Sequence, residues 1–290
     1  MATVAQWVEG ARPRTLPNSI SPVLVGAGAA HVVGGFDLTR TLLALVVSLT
    51  LQLGVNYAND YSDGIRGTDA NRVGPFRLVG SGSTEPKKVR NAAFGCFGLA
   101  AVAGLALVVL SGHWWLLAVG LVCIAAAWFY TGGTRPYGYA GFGEIAVFVF
   151  FGLVGVLGTV YVQAGQVGGI AIGCAVAVGS FSAAVLVANN LRDIPTDKQS
   201  GKRTLAVLLG DADTRHFYLA LLAVPLVITA LVSLKHHLAL AGLLAIIPAV
   251  PAVRRVTAGR NGRDLIPVLR DTGLAMLLWS AATGVALVLS

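Results

Sequence analysis

An all-α, polytopic membrane protein is the fold class this sequence predicts, and three observations predict it. The 290 residues are 56% hydrophobic and only 12% charged, with a mean hydropathy of +0.75, a balance in which lipid rather than water is the main solvent. Apolar runs long enough to cross a bilayer recur along the whole chain. Between them, Lys and Arg fall almost entirely on alternate loops, as the positive-inside rule requires of a multi-pass protein.

Taken in order, about nine runs of spanning length lie at 15–33, 41–59, 91–111, 114–131, 143–163, 168–191, 215–234, 237–253 and 271–289. The first holds Pro17, Asn18 and Pro22, which a membrane helix tolerates where neighbours satisfy the freed carbonyls. The second runs into a polar stretch rich in Asn and Asp. Trp114 and Trp115 open the fourth, and Trp7 and Trp128 lie near span ends, as in an interfacial aromatic belt. The fifth follows Glu144. The sixth runs into NNLRDIPTDKQSGKRT, where Pro195 is expected to end or kink the helix near Arg192 to Ile194 and leave Asp197 on the loop. The last three are joined by a short turn holding His236 and His237 and by the basic segment 254–270, which reads as a topology and lipid-surface anchor. The 36 Gly fall inside apolar runs and suit close helix packing in lipid. Cys96, Cys123 and Cys174 also lie in apolar segments without CxxC spacing and read as core residues.

With the N-terminus cytoplasmic, every Lys and Arg except Arg40 and Lys235 lies on an inside segment. The expected protein is therefore a multi-pass protein of the cell (plasma) membrane, a single transmembrane domain over 1–290 with its C-terminus outside. Its formal charge of +8 reports topology, and no nucleic-acid partner is needed to explain it. The N-terminal segment lacks the apolar stretch and small-residue cleavage site of a removable signal peptide. The long inside loops, about 60–90 and 192–214, are where function is expected.

Two segments carry chemistry. In NYANDYSDGIRGTDANRVGPFRLVGSG, Asn56, Asp60 and Asp63 are spaced to share one helix face, with Asn59 and Asp69 as further oxygen donors. In the second segment Asn189, Asp193 and Asp197 repeat a four-residue spacing. Basic residues follow each: Arg66, Arg72 and Arg77 after the first, and Lys198, Lys202 and Arg203 after the second. Alone, either cluster reads equally as carboxylates solvating a helix end. Two on one side of the membrane, each followed by cations, point instead to Mg²⁺ and a diphosphate. So much apolar chain around such a site suits a diphosphate with a lipid tail.

These residues resemble the two Asp-rich motifs of the UbiA superfamily of intramembrane prenyltransferases, and the resemblance covers nearly the whole chain. GARPRTLPNSISPV, NDYSDGIRGTDANRVGPFRLVGSG and YTGGTRPYGYAGFGE are similar to the bacterial branch that prenylates 1,4-dihydroxy-2-naphthoate in menaquinone synthesis. Three departures stand out: two residues separate Asp60 and Asp63 where many members have three, Gly67 occupies the place of a third motif Asp, with Asp69 the nearest substitute, and Thr134 sits where relatives often have a basic residue. The resemblance implies about nine helices around a central cavity open to the cytoplasmic side. It implies a Mg²⁺-dependent transfer of a polyprenyl group from its diphosphate to 1,4-dihydroxy-2-naphthoate, with loss of CO₂ and diphosphate. Asp60, Asp63, Asp193 and Asp197 would hold the metal. Tyr57, Tyr61, Tyr130, Tyr137 or Tyr139 would shield the allylic cation, and Arg135 would add phosphate charge. Glu144 would either orient the acceptor hydroxyl or stand as a helix N-terminal carboxylate. The alternatives are another acceptor such as 4-hydroxybenzoate or, in a different class, a transporter of an anionic lipid or metabolite.

Overall fold

The computed structural model describes residues 2–67 and 76–290. Asp69 and Arg72 lie outside the described residues. Among those described, nine successive helical segments build the bundle: α1 (Pro17–Val32), α2 (Leu38–Arg66), α3 (Pro86–Ser111), α4 (Leu116–Phe129), α5 (Gly143–Ala164), α6 (Gly169–Gln199), α7 (Asp211–Ser233), α8 (His237–Thr257) and α9 (Gly262–Leu289). Seven are long and apolar enough to cross a membrane, and α4 is a shorter apolar helix. Their order and approximate limits follow the apolar runs of the sequence.

Two limits depart from expectation, and both bear on the site. Helix α2 continues to Arg66, so the first Asn/Asp array stands on the helix. Helix α6 runs through Pro195 to Gln199 without ending, so Asp197 is a helical residue, buried, and not part of a loop. The reason lies in the position of Pro195, within the last turns, where it deletes a single amide donor to Leu191. The Thr196 hydroxyl donates to Asp193 O at 2.9 Å, and membrane helices accommodate such breaks through local side-chain bonds.

Helix α6 is the central element, with 72% of its apolar window buried. It packs against α5, α7 and α9, while α1 packs against α9, α2 and α5. The α1–α9 contact is a backbone contact: a Cβ on Gly28 would lie 2.4 Å from Gly284 O. In lipid, where burying apolar side chains gains nothing over the acyl chains, such close approach supplies the dispersion energy that holds helices together. Helices α2 and α3 pack along one another on the other side, and α2 and α6 do not pack together. The space between them becomes the cavity.

Within α5, Phe148–Leu157 is π-helical. These wider turns set Phe150, Phe151 and Val154 on the cavity wall, and π-turns inside α-helices recur at functional sites. At the far end of the bundle, Arg40 explains its own exception to the charge pattern. Its guanidinium donates to Val162 O and Gln163 O at 3.1 Å and to Leu110 O at 2.8 Å, compensating the C-termini of α5 and α3. In the basic segment 254–270, Arg255 and Arg270 pair with buried Asp271 at 2.9 and 2.8 Å, so part of that charge is structural.

Candidate active site

The cavity has a volume of about 630 Å³ and is lined by α2, α3, α4, α5 and α6 with the segments between them. On α2 the lining runs from Ala44 to Asp63, which at ~1.5 Å per residue is about 28 Å, close to the ~30 Å hydrocarbon thickness of a bilayer. Most of that length is apolar, with Val47, Leu51, Ala100, Leu121, Phe151 and Val154 among the wall residues. One end is polar and charged: Asn59, Asp63, Arg77, Asn189, Asp193, Asp197 and Lys202 gather there, with Arg12 from the N-terminal segment.

On α2 the stripe that faces the cavity is Gln52, Asn56, Asn59 and Asp63, at the i, i+4, i+7, i+11 spacing of one helix face. Asp60 is not on that wall. It is fully buried one position round the helix, and its oxygens accept from the backbone amides of Leu78 at 2.7 Å and Val79 at 3.0 Å. Gly64, one turn on, makes this docking possible, because a Cβ there would meet Val79 Cγ1 at 2.4 Å. Asp60 thereby holds the segment that carries Arg77, whose Nη2 lies 3.5 Å from Asp63 Oδ2 in a buried pair. The expected shared face of Asn56, Asp60 and Asp63 is thus split between cavity and loop.

On α6 the array stays together: Asn189, Asp193 and Asp197 all line the cavity. Arg192, buried beside them, donates to both oxygens of Asp193 at 2.7 Å and to Asn189 Oδ1 at 2.9 Å. This bidentate pair gives the buried Asp193 carboxylate a fixed cationic partner. Among the described residues no three His, Cys, Asp or Glu come together as a ready-made metal cage. The carboxylates stand on two walls.

The turn Tyr137–Tyr139 bridges those walls. The Tyr139 hydroxyl donates to Asp63 Oδ1, Tyr139 O accepts from Arg203 N at 2.9 Å, and Lys202 Nζ lies 4.5 Å from the Tyr139 ring centroid. Tyr130 and Tyr137 also line the cavity, edge to face with centroids 5.4 Å apart. Burial pushes the Tyr137 phenol up to about 12, so it remains a donor, to Ala126 O at 2.8 Å.

Other predicted residues stand elsewhere. Tyr57 donates to Trp7 O and Tyr61 stacks on Trp128; neither lines the cavity. Arg66 donates to Thr131 O and Gly133 O, tying down the segment that precedes the Tyr137–Tyr139 turn. Lys198, Arg203 and Arg135 have exposed side chains off the wall. Glu144 is buried behind it, accepting from Asn190 Nδ2 at 2.8 Å. The structure adds Arg12, Asn18, Gln52 and Asn190 to the wall. A stripe drawn backwards from Asp63 and Asn59 would have found Gln52; Arg12 comes from a segment with no periodic pattern to mark it.

Fold and site together define a polytopic helical membrane protein with a bilayer-deep apolar cavity headed by carboxylates, amides and cations. The model of the UbiA prenyltransferase family matches residues 19–287, and the chain belongs to that family. It is 58% identical over 287 residues to the 1,4-dihydroxy-2-naphthoate octaprenyltransferase of Mycobacterium tuberculosis, covering 99% of this chain and 98% of that one. It is 56% identical over 290 residues to the protein of the same name from Mycobacterium leprae, covering 100% and 98%. Among solved structures, a UbiA homologue from Archaeoglobus fulgidus bound to GPP and Mg²⁺ has the same fold, with a TM-score of 0.70 at 14% identity over 98% of this chain and 100% of that one.

Proposed function

We propose that the chain transfers a polyprenyl group from a polyprenyl diphosphate to 1,4-dihydroxy-2-naphthoate, releasing diphosphate and CO₂ and giving demethylmenaquinone in its quinol form. The single observation that carries this reading is one cavity that joins a carboxylate-and-cation head to an apolar wall about 28 Å long, the two environments a lipid diphosphate needs. The choice of acceptor is supported by the name of relatives more than 55% identical over the full length.

Asp63, Asp193 and Asp197 are the residues that would hold Mg²⁺. The donor set fits: it is oxygen only, and Mg²⁺ is characteristically bound by one or two carboxylates together with substrate phosphates, not by an all-protein cage. Carboxylates on facing walls suit that mode, and a protein of the same fold is bound to GPP and Mg²⁺. When bound, the metal supplies Lewis-acid neutralisation of the leaving diphosphate. Arg77, Lys202 and Arg12 bind its remaining oxygens, Asn59 and Asn189 orient them, and Asp60 positions Arg77. Arg72 and Asp69 keep their expected diphosphate role on sequence alone.

The allylic C–O bond breaks with its electron pair leaving on the diphosphate. Tyr130, Tyr137 and Tyr139, which line the cavity beside the carboxylates, would stabilise the cation by cation–π attraction of about 0.5–2 kcal/mol each, and the apolar wall disfavours water. The ring carbon that bears the carboxylate attacks, forming the new C–C bond. The resulting β-keto acid loses CO₂, and the electrons of that bond restore aromaticity, so no protein base is required. The Lys and Arg distribution favours a multi-pass single domain in the plasma membrane with the charged head at the cytoplasmic face.

Supplying carboxyl-labelled naphthoate with a polyprenyl diphosphate and Mg²⁺ tests the assignment. Labelled CO₂ should equal prenylated product mole for mole. Label kept in the lipid product, or consumption of 4-hydroxybenzoate but not naphthoate, would overturn it.

A further inference from the structure

Two amides on opposite walls of the cavity have their orientation dictated by groups behind them. On α2, Asn56 Nδ2 donates to the backbone carbonyl of Ala11 at 2.8 Å and to Thr15 Oγ1 at 2.9 Å. A carbonyl oxygen only accepts, so the Asn56 amide nitrogen must face it and Asn56 Oδ1 must face the other way. There it accepts from Gln52 Nε2 at 3.2 Å, which turns Gln52 Oε1 away from the pair. That oxygen is buried and has no hydrogen-bond partner among the described residues, and Gln52, 4% exposed, lines the cavity. On α6, Asn190 Nδ2 donates to Glu144 Oε1 at 2.8 Å. The Asn190 oxygen is thereby turned away from Glu144, and Asn190 lines the cavity.

Each wall therefore holds, at these positions, an amide whose nitrogen is engaged by the protein behind it and whose oxygen is not. A prenyl tail carries no hydrogen-bonding group, and a diphosphate carries acceptors that two amide oxygens would repel. The remaining reactant is one with hydroxyl groups. Asn190 precedes Asp193 by less than one helical turn, about 4.5 Å along the axis, so a ring bonded to it lies just beneath the diphosphate, where the allylic carbon must be. Gln52 stands deeper on the facing wall.

We propose that Asn190, held by Glu144, and Gln52, held by Asn56, are positioning residues whose amide oxygens accept hydrogen bonds from the hydroxyl groups of the aromatic acceptor and orient its electron-rich ring toward the allylic carbon. The proposal rests on the prenyltransferase reading above and adds to it where the acceptor binds and why hydroxyls are required. Glu144 acts through Asn190 and does not touch the ring. The alternative role, amides that only brace the helices, would leave acceptor selectivity unchanged when they are replaced.

The test measures steady-state KM for acceptor and donor, and equilibrium binding under anaerobic conditions of two probes, 1,4-dihydroxy-2-naphthoate and 2-naphthoate, which has the same ring and carboxylate without hydroxyls. Wild type should favour the dihydroxy probe. Asn190→Ala and Gln52→Ala should each raise acceptor KM at least about tenfold, equivalent to about 1.4 kcal/mol, leave donor KM within about twofold, and shrink the preference between the probes by the same factor. Glu144→Gln, which keeps an acceptor for Asn190 Nδ2, should restore most of the effect that Glu144→Ala causes. An unchanged probe preference in both alanine variants, or equal increases in donor and acceptor KM, overturns the proposal. If wild type neither binds nor turns over dihydroxynaphthoate, the naphthoate reading itself fails instead. Should a variant not fold, Asn190→Leu and Gln52→Met, which keep the approximate size but lose the acceptor oxygen, must show the same loss of preference.

Discussion

Replacing Asp60 by Ala removes two bonds at once, those from the amides of Leu78 and Val79 at 2.7 and 3.0 Å. Hydrogen bonds to a charged partner contribute about 1.5–3 kcal/mol each, so the change costs the 76–79 segment about 3–6 kcal/mol of local stability. Leu78 is fully buried, and its freed N–H finds no water unless the segment lifts from α2. The expected outcome is local opening in place of global unfolding, because the segment is short and α2 keeps its contacts with α3. At ~1.4 kcal/mol per tenfold, the protection of amides 78 and 79 against hydrogen exchange should fall at least about 100-fold, with α6 unchanged. Turnover should fall as well, since Arg77 loses its place beside Asp63. Asp60→Asn should be nearly as damaging: its NH₂ would face a backbone N–H, donor against donor. Exchange mass spectrometry on peptides covering 76–82, in detergent, reads the effect directly. Wild-type protection of that segment in Asp60→Ala would refute the positioning role and return Asp60 to the metal set.

Asp63→Asn and Asp193→Asn keep the size and hydrogen-bonding capacity of buried side chains while removing a charge, so each should lower kcat at least about 100-fold with the protein still monodisperse by size exclusion; near-normal turnover in either would end the two-wall model. EDTA should abolish wild-type activity, Mg²⁺ should restore it, and equal restoration by Ca²⁺ would argue against an octahedral site. Arg77→Ala should raise donor KM about tenfold, whereas Arg260→Ala, which removes an exposed side chain at 4.0 Å from Asp264, should change it less than about twofold; equal effects would mean that the basic loops act as one diffuse field.

The helices were legible because lipid imposes a long apolar run on every span, and the alternation of cations constrains their number independently. The arrays were legible as composition, but not the assignment of each carboxylate. Asp60 and Asp63 look equivalent in the sequence. Which one faces the cavity depends on where residues 76–79 dock, a tertiary fact marked only by Gly64. Pro195 misled because the local rule for Pro assumes a helix free to stop, while α6 is held by its packing against α1, α5, α7 and α9. Gln52 and Asn190 went unseen because amides in apolar helices carry no motif; their orientation comes from Ala11 and Glu144, far away in sequence.

The separation of the two arrays has a consequence for how the site works. Helices α2 and α6 face each other across the cavity, so Asp63 and Asp193 stand on separate walls, and the Tyr137–Tyr139 turn joins their surroundings. Each carboxylate is already compensated by its own cation, Asp63 by Arg77 and Asp193 by Arg192. Each of these two walls thus carries a charge-paired carboxylate, and a cation entering alone would gain at most the carboxylates of one wall. A diphosphate with its cation spans both, replaces the Arg77 contact to Asp63 with phosphate contacts, and draws charge from both walls at once. Metal and diphosphate should therefore bind with positive coupling, each raising the affinity of the other by the same factor, as linkage demands. On the proposed reading, ionisation of the lipid diphosphate would then follow filling of the cavity, with the allylic carbon beside Tyr130, Tyr137 and Tyr139.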